Sequence, residues 1–165
     1  MATNYTVLEI AVIDAVKSIG VPYELIEIDP SFSDTTAFCE KYGYSRSETC
    51  NTILVSSKKE PRKTAACVVL ADSRLDVNKR VKRLMGVQKV SFASADETIA
   101  LTGMEIGGVT PFALPDSVSL YVDDRVMAPH AVILGGGSRR LKIQIAPEAL
   151  IKLGGEVIAE LAVSL

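Results

Sequence analysis

The sequence predicts an α+β fold, a mixed curved β-sheet or partly closed barrel flanked by helices. Three observations predict it. Apolar residues recur at helical spacing in some stretches and at strand spacing in others. Glycine or proline punctuates most boundaries between them. The order mixes helices with many short strands joined by tight turns, without the regular strand–helix alternation of a doubly wound parallel sheet. The length of 165 residues, 48% of them hydrophobic, fits one domain over 1–165 with an ample core. No internal repeat, low-complexity segment or linker interrupts it.

Taken in order, Leu8, Ala11, Val12, Ala15, Val16 and Ile19 repeat at helical spacing, and Gly20 stops the helix. Val21 to Ile28 reads as a strand closed by Asp29-Pro30, and Ser33 as the cap of a short helix ending at Gly43. Ser45 to Glu48 has capping-box spacing for one helical turn. Thr52–Ser56 and Thr64–Leu70 read as a hairpin around the polar turn 57–63. Asp76 is expected to cap a helix running to about Met85, with Gly86 as its stop. Val87 to Phe92 reads as a short strand, and Ser94-x-x-Glu97 opens a helix closed by Gly103. Strands follow near Val118–Val122, Ala131–Leu134 and Leu141–Ile145, and Pro147 suits the first turn of a last helix stopping at Gly154-Gly155.

Composition narrows the function classes. The net charge of −2 argues against a protein that coats nucleic acid non-specifically. The charge is uneven: Lys58, Lys59, Arg62 and Lys63 cluster, as do Lys79, Arg80, Lys82 and Arg83, and then Arg139, Arg140 and Lys142. Each cluster alone reads as a solvated surface, but two of them on one side of a pocket would hold a phosphate backbone. No apolar run is long enough to span a bilayer, and the start of the chain lacks the pattern of a secretory signal. Three cysteines without C-x-x-C spacing indicate neither a zinc site nor a disulfide framework, so a reducing cytoplasm is expected.

The densest functional signal is a pair of glycine loops. Gly103-Met-Glu-Ile-Gly107-Gly108-Val-Thr110-Pro111-Phe112 has no regular periodicity, and Gly135-Gly136-Gly137-Ser138-Arg139-Arg140 sits between an apolar run and an alternating one. Such loops are expected to bring bare backbone up to a ligand. No P-loop, dinucleotide fingerprint, H-E-x-x-H or G-x-S-x-G occurs. The single histidine, His130, cannot build a multi-histidine metal site and reads first as structural, second as a base or orienting group. Asp123-Asp124 reads as a turn and Cys50 as a buried thiol. No cofactor or metal is implied.

Leu101-Thr-Gly-Met-Glu-Ile-Gly-Gly-Val-Thr-Pro-Phe112 resembles the G-x-x-x-G-G-V-[ST]-P signature of the YbaK / prolyl-tRNA synthetase-associated domain family. Val68-Val-Leu-Ala-Asp-Ser-Arg-Leu-Asp-Val-Asn-Lys79 resembles that family's strand, polar turn and helix opening, and Ile133 to Ile145 its late strand, small-residue loop and strand. The N-terminal helix and Val21-Pro-Tyr-Glu-Leu also fit, so the resemblance covers nearly the whole chain.

The resemblance implies a trans-editing aminoacyl-tRNA deacylase, which hydrolyses the ester of a tRNA mischarged with a small amino acid, commonly alanine or cysteine on proline tRNA. The partners implied are the acceptor end of aminoacyl-tRNA and, beside it, an aminoacyl-tRNA synthetase. By the same resemblance Gly107, Gly108, Thr110 and Pro111 would hold the aminoacyl carbonyl and the attacking water, with the developing oxyanion met by backbone N–H groups of the glycine loops. Gly135, Gly136 and Gly137 would form the facing wall. Lys63, Arg139 and Arg140 would meet the terminal phosphates. Asn51 is a further candidate among the catalytic residues and His130 among those that bind substrate. One position departs from the family pattern: Asn51 stands where the family usually carries a functional lysine. Lys63 or Lys58 would then have to substitute in space. The alternatives are a non-catalytic module that binds aminoacyl-tRNA or a synthetase, and a hydrolase of another small aminoacyl ester.

Overall fold

A computed structural model describes residues 4–165 of the chain. Helix α1 (Val7–Ile19) opens on a capping box: the Glu9 N–H donates to Thr6 Oγ1, and the Thr6 N–H donates to the Glu9 carboxylate. It buries Val12 and Val16 and stops at Gly20, whose φ of +79° suits glycine. Strand β1 (Tyr23–Glu27) follows. The next helix, α2 (Thr35–Tyr42), is capped by Asp34, whose carboxylate accepts the Ala37 N–H, and not by Ser33 as the sequence suggested. Pro30 starts a separate 3-10 turn over Pro30–Phe32, and Ser33 closes that turn instead.

Strands β2 (Cys50–Ser57) and β3 (Thr64–Leu70) form the expected antiparallel hairpin, with Asn51 opposite Val69. Asp76 caps a π-helical turn (Val77–Val81) that runs into α3 (Lys82–Met85) and ends at Gly86. The strand expected from Val87 is only β5 (Val90–Phe92), which pairs with the far end of β2. Helix α4 (Ala95–Thr102) is capped by Ser94 and closed by Gly103. After the first glycine loop come β6 (Ser119–Asp123), β7 (Val132–Gly135), β8 (Leu141–Ile145) and α5 (Glu148–Lys152). Three short strands were not anticipated: β4 (Ser73–Leu75), β9 (Glu156–Ile158) and β10 (Ala162–Ser164).

The main sheet is mixed and five-stranded, in the order β5-β2-β3-β6-β9, with β2 antiparallel to its neighbours and β6 parallel to its own. A three-stranded antiparallel sheet runs β1-β8-β7, and β4 pairs with β10. A parallel bridge, Thr49 to Ile133, links the entry of β2 to β7. The strands therefore curve toward one another without closing. Val12, Val68, Phe112, Val122, Leu134 and Ile143 belong to the largest buried cluster, and Val55, Cys67, Val69, Val81 and Leu161 to a second one.

Candidate functional site

A cavity of about 440 Å³ opens between the start of α2, the first half of β2, the first glycine loop and β8. The volume lies in the range of small-ligand pockets. Alternation along β8 sends Ile143 and Ile145 into the main core and Lys142 to the opposite face. There Lys142 is 5% exposed. Its ammonium donates to the Ser33 carbonyl at 3.0 Å and the Gly107 carbonyl at 3.5 Å, and it lies 5.4 Å from the centre of the Phe38 ring. Burial pulls its pKa down to about 8; the Asp34 carboxylate works against that and the Arg139 guanidinium with it.

Around this ammonium the cavity is polar and incompletely satisfied. Ser33 Oγ and Thr52 Oγ1 are buried without a hydrogen-bond partner among the described residues, and both residues line it. Buried hydroxyls are nearly always paired, so two in one cavity mark a place where a ligand or water belongs. Asn51 accepts the Thr35 hydroxyl on its Oδ1, which leaves its amide NH₂ as a donor. Cys50 also lines the cavity, and burial pushes its thiol far above the ordinary range, so it stays protonated and unreactive at neutral pH.

The two glycine loops come together. The Gly137 N–H donates to the Gly108 carbonyl at 2.7 Å. A Cβ on Gly108 would stand 2.5 Å from the Ser138 backbone, one on Gly135 2.4 Å from the Val109 carbonyl, and one on Gly136 2.6 Å from Leu141. Gly108 and Gly135 need glycine because backbone packs on backbone there, and Gly136 because the Leu141 side chain and carbonyl pack against it. Gly107 is different. Its φ of +95° favours glycine, and a Cβ there would meet the Ser33 hydroxyl at 2.8 Å and the Arg139 guanidinium at 3.2 Å, at the cavity wall.

Three of the N–H groups expected to meet an oxyanion are engaged inside the protein: Gly108 donates to Glu105, Gly136 to Leu141, and Gly137 to Gly108. Gly107, Gly135, Asn51 and Arg139 line the cavity with Lys142. Arg139 sits at its edge, reaching the Ile106 and Pro30 carbonyls. Thr110 is fully buried, with its hydroxyl accepting the Phe112 N–H, and Pro111 lines a separate cavity near Leu153. His130 is exposed and lines neither cavity.

Arg140 forms a 2.7 Å ion pair with the fully buried Glu9, away from the cavity. Burial alone would raise the Glu9 pKa; hydrogen bonds from Arg140, Thr6 and Ser138 outweigh it and hold the carboxyl at about 2. Lys63 and Lys58 lie at the hairpin turn beyond the far end of β2, and Lys63 donates to the Met85 carbonyl. With about 3.3 Å per residue, Lys58 lies some 23 Å along the strand from Asn51. Neither lysine stands in for a cation at Asn51. Lys142, on another strand, brings a cation into the same cavity. Its sequence signals are a place in the basic cluster with Arg139 and Arg140 and a lysine inside an alternating apolar run.

A sequence model of the aminoacyl-tRNA editing domain matches residues 29–153. The chain is 26% identical over 144 residues to a protein of Enterococcus faecalis provisionally named Cys-tRNA(Pro)/Cys-tRNA(Cys) deacylase EbsC, covering 86% of this chain and 85% of the relative. It is 28% identical over 127 residues to the uncharacterised protein YwhH of Bacillus subtilis, covering 77% and 78%. The fold is similar to the crystal structure of a provisionally named trans-editing enzyme for prolyl-tRNA synthetase, with TM-score 0.80, 23% identity and coverage of 94% and 98%.

Proposed function

This chain belongs to the aminoacyl-tRNA editing domain family, and from that premise we propose that it is a trans-editing deacylase. Its substrate is a tRNA mischarged with a small amino acid, proline tRNA being the first candidate. The carrying observation is the polar cavity itself, with a buried ammonium and two unpartnered hydroxyls. An apolar pocket discriminates one methylene by only ~1–3 kcal/mol, which is why mischarged small residues need a second, hydrolytic site.

Water attacks the ester carbon. The carbonyl electron pair moves onto oxygen, and the tetrahedral intermediate collapses by breaking the bond to the ribose oxygen, which takes up the proton that the attacking water gives up. The Lys142 ammonium meets the developing oxyanion. The hydroxyls of Ser33 and Thr52 and the Asn51 amide position the water and the ester. Asp34, beside Lys142, receives the amino group of the substrate. Gly107 keeps the entrance open to the ester, and Arg139 at the rim meets the terminal phosphate. Thr110 acts through the loop it holds rather than through its hydroxyl.

The test is hydrolysis of tRNAs charged with alanine, cysteine, serine, threonine and proline. Turnover of at least one mischarged proline tRNA, well above spontaneous hydrolysis, is expected. Tight binding without turnover on any of them would replace the deacylase by a binding module.

A further inference from the structure

The charge of this molecule is distributed very unevenly. Residues 57–63 and 77–93 carry nine of the eighteen lysines and arginines and a single carboxylate, Glu60. The rest of the chain is therefore strongly acidic, although the net charge is only −2. The fold brings the two segments together. The Lys58 N–H donates to the Lys89 carbonyl at 3.1 Å, the Lys63 ammonium reaches the Met85 carbonyl, and a concavity between them is lined by Lys59, Lys63 and Lys89. Arg80 turns away to the Ala159 carbonyl. Lys58, Lys59, Arg83 and Lys89 are exposed, and among the described residues no side-chain hydrogen bond or ion pair engages them.

This surface and the cavity are lined from opposite ends of the same strand, β2. Phe92 and Ala93 line its mouth, and Phe92 is 60% exposed, an unusual placement for a large aromatic at the end of an edge strand. Ala93 also lines a neighbouring depression that holds Ser56, Thr64 and Arg62, with Glu97 as its only carboxylate. A track thus runs beside β2 from Asn51 past Phe92 to the basic hairpin, about 23 Å long at strand spacing.

We propose that this track and the joined basic segments form the docking surface for the acceptor arm of tRNA. The unpaired end lies along it with a base stacked on Phe92, and the phosphates of the first duplex turn lie on Lys58, Lys59, Arg62, Arg83 and Lys89. The proposal rests on the reading of the substrate as charged tRNA, but it makes a separate claim. A surface of one sign on an otherwise acidic protein admits a polyanion in one orientation only. An exposed aromatic beside it gives a sequence-tolerant platform for an unstacked base.

The test is binding of uncharged tRNA to the full chain, read by fluorescence anisotropy at several salt concentrations, alongside deacylation of charged tRNA. The combined variant Lys58→Ala, Lys59→Ala, Arg83→Ala and Lys89→Ala changes only exposed side chains. It is expected to weaken binding by more than about tenfold and to make the log–log salt slope shallower by about 3, with kcat unchanged. Phe92→Ala is expected to weaken binding roughly tenfold without changing the slope, because stacking releases no counterions. Equal affinity and slope in the combined variant would overturn the proposal, as would a wild type that does not bind tRNA. A surface built for an acidic protein would give that same unchanged affinity. If wild type binds tRNA but hydrolyses no charged form, and the combined variant loses binding, the deacylase reading falls and the docking surface stands.

Discussion

Replacing Lys142 by methionine should stabilise the protein at neutral pH while removing the proposed deacylase activity. The side chain is almost wholly buried, and its pKa falls from the ordinary 10.5 to about 8. At ~1.4 kcal/mol per pKa unit, holding the charge in the cavity costs about 3 kcal/mol. Methionine has nearly the same length and no charge to desolvate. It also forfeits the hydrogen bonds to the Ser33 and Gly107 carbonyls. Those are worth about 1–2 kcal/mol together. The net gain at pH 7 is about 1–2 kcal/mol.

The pH dependence is the sharper part. Between pH 8 and 10.5 the unfolded chain holds a proton on Lys142 that the folded protein has released. Wild-type stability from this group therefore rises with pH across that window. The advantage of Lys142→Met is fully present below pH 8, shrinks through the window, and reverses above it. Urea unfolding of both proteins at pH 7 and pH 10 measures the change, and other titrating groups cancel in the difference. A stability difference of the same size at both pH values would refute the reasoning, since the lysine would then be an ordinary solvated or structural cation.

Other substitutions separate packing from function. Gly108→Ala puts a Cβ 2.5 Å from the Ser138 backbone, so a loss of about 3 kcal/mol or more is expected in thermal or urea unfolding. Gly107→Ala meets side-chain atoms of Ser33 and Arg139 that can swing aside, so it should cost only about 1–2 kcal/mol of stability and reduce deacylation far more than Gly86→Ala, whose Cβ would stand in open space. Glu9→Gln removes a carboxyl held at about 2. The loss in chemical denaturation should be full above the ordinary value of 4.5 and should fade as pH drops toward 2.

Much of the fold was legible because its signals are local. Helical periodicity with Gly20 placed α1, the hairpin followed from two apolar runs around a polar turn, and Ser94 with Glu97 placed α4. What escaped was short or decided by tertiary contact. Strands β4, β9 and β10 are three residues each, too few for a period to register. Asp34 took the cap from Ser33 because Pro30 begins a turn of its own.

The cavity was half legible. Clustered glycines marked the loops, and Gly107 and Gly135 do line the cavity. Yet Gly108, Gly135 and Gly136 need glycine for the contact between the loops and the β7–β8 turn, which no local pattern reveals. Lys142 escaped because a lysine on the polar phase of an alternating strand reads as solvent-facing. Ser33, Phe38 of α2 and Gly107 of the glycine loop fold over that face and bury it.

The most direct test is single-turnover hydrolysis of the tRNA that wild type deacylates fastest, across pH 6 to 9 with spontaneous hydrolysis subtracted. The Lys142 ammonium is present below its pKa of about 8 and lost above it, so the wild-type rate should fall as pH rises through 8. Lys142→Met should be slower by roughly 10²–10³-fold at pH 7, with no such fall. A Lys142→Met protein that hydrolyses this substrate as fast as wild type would contradict the account.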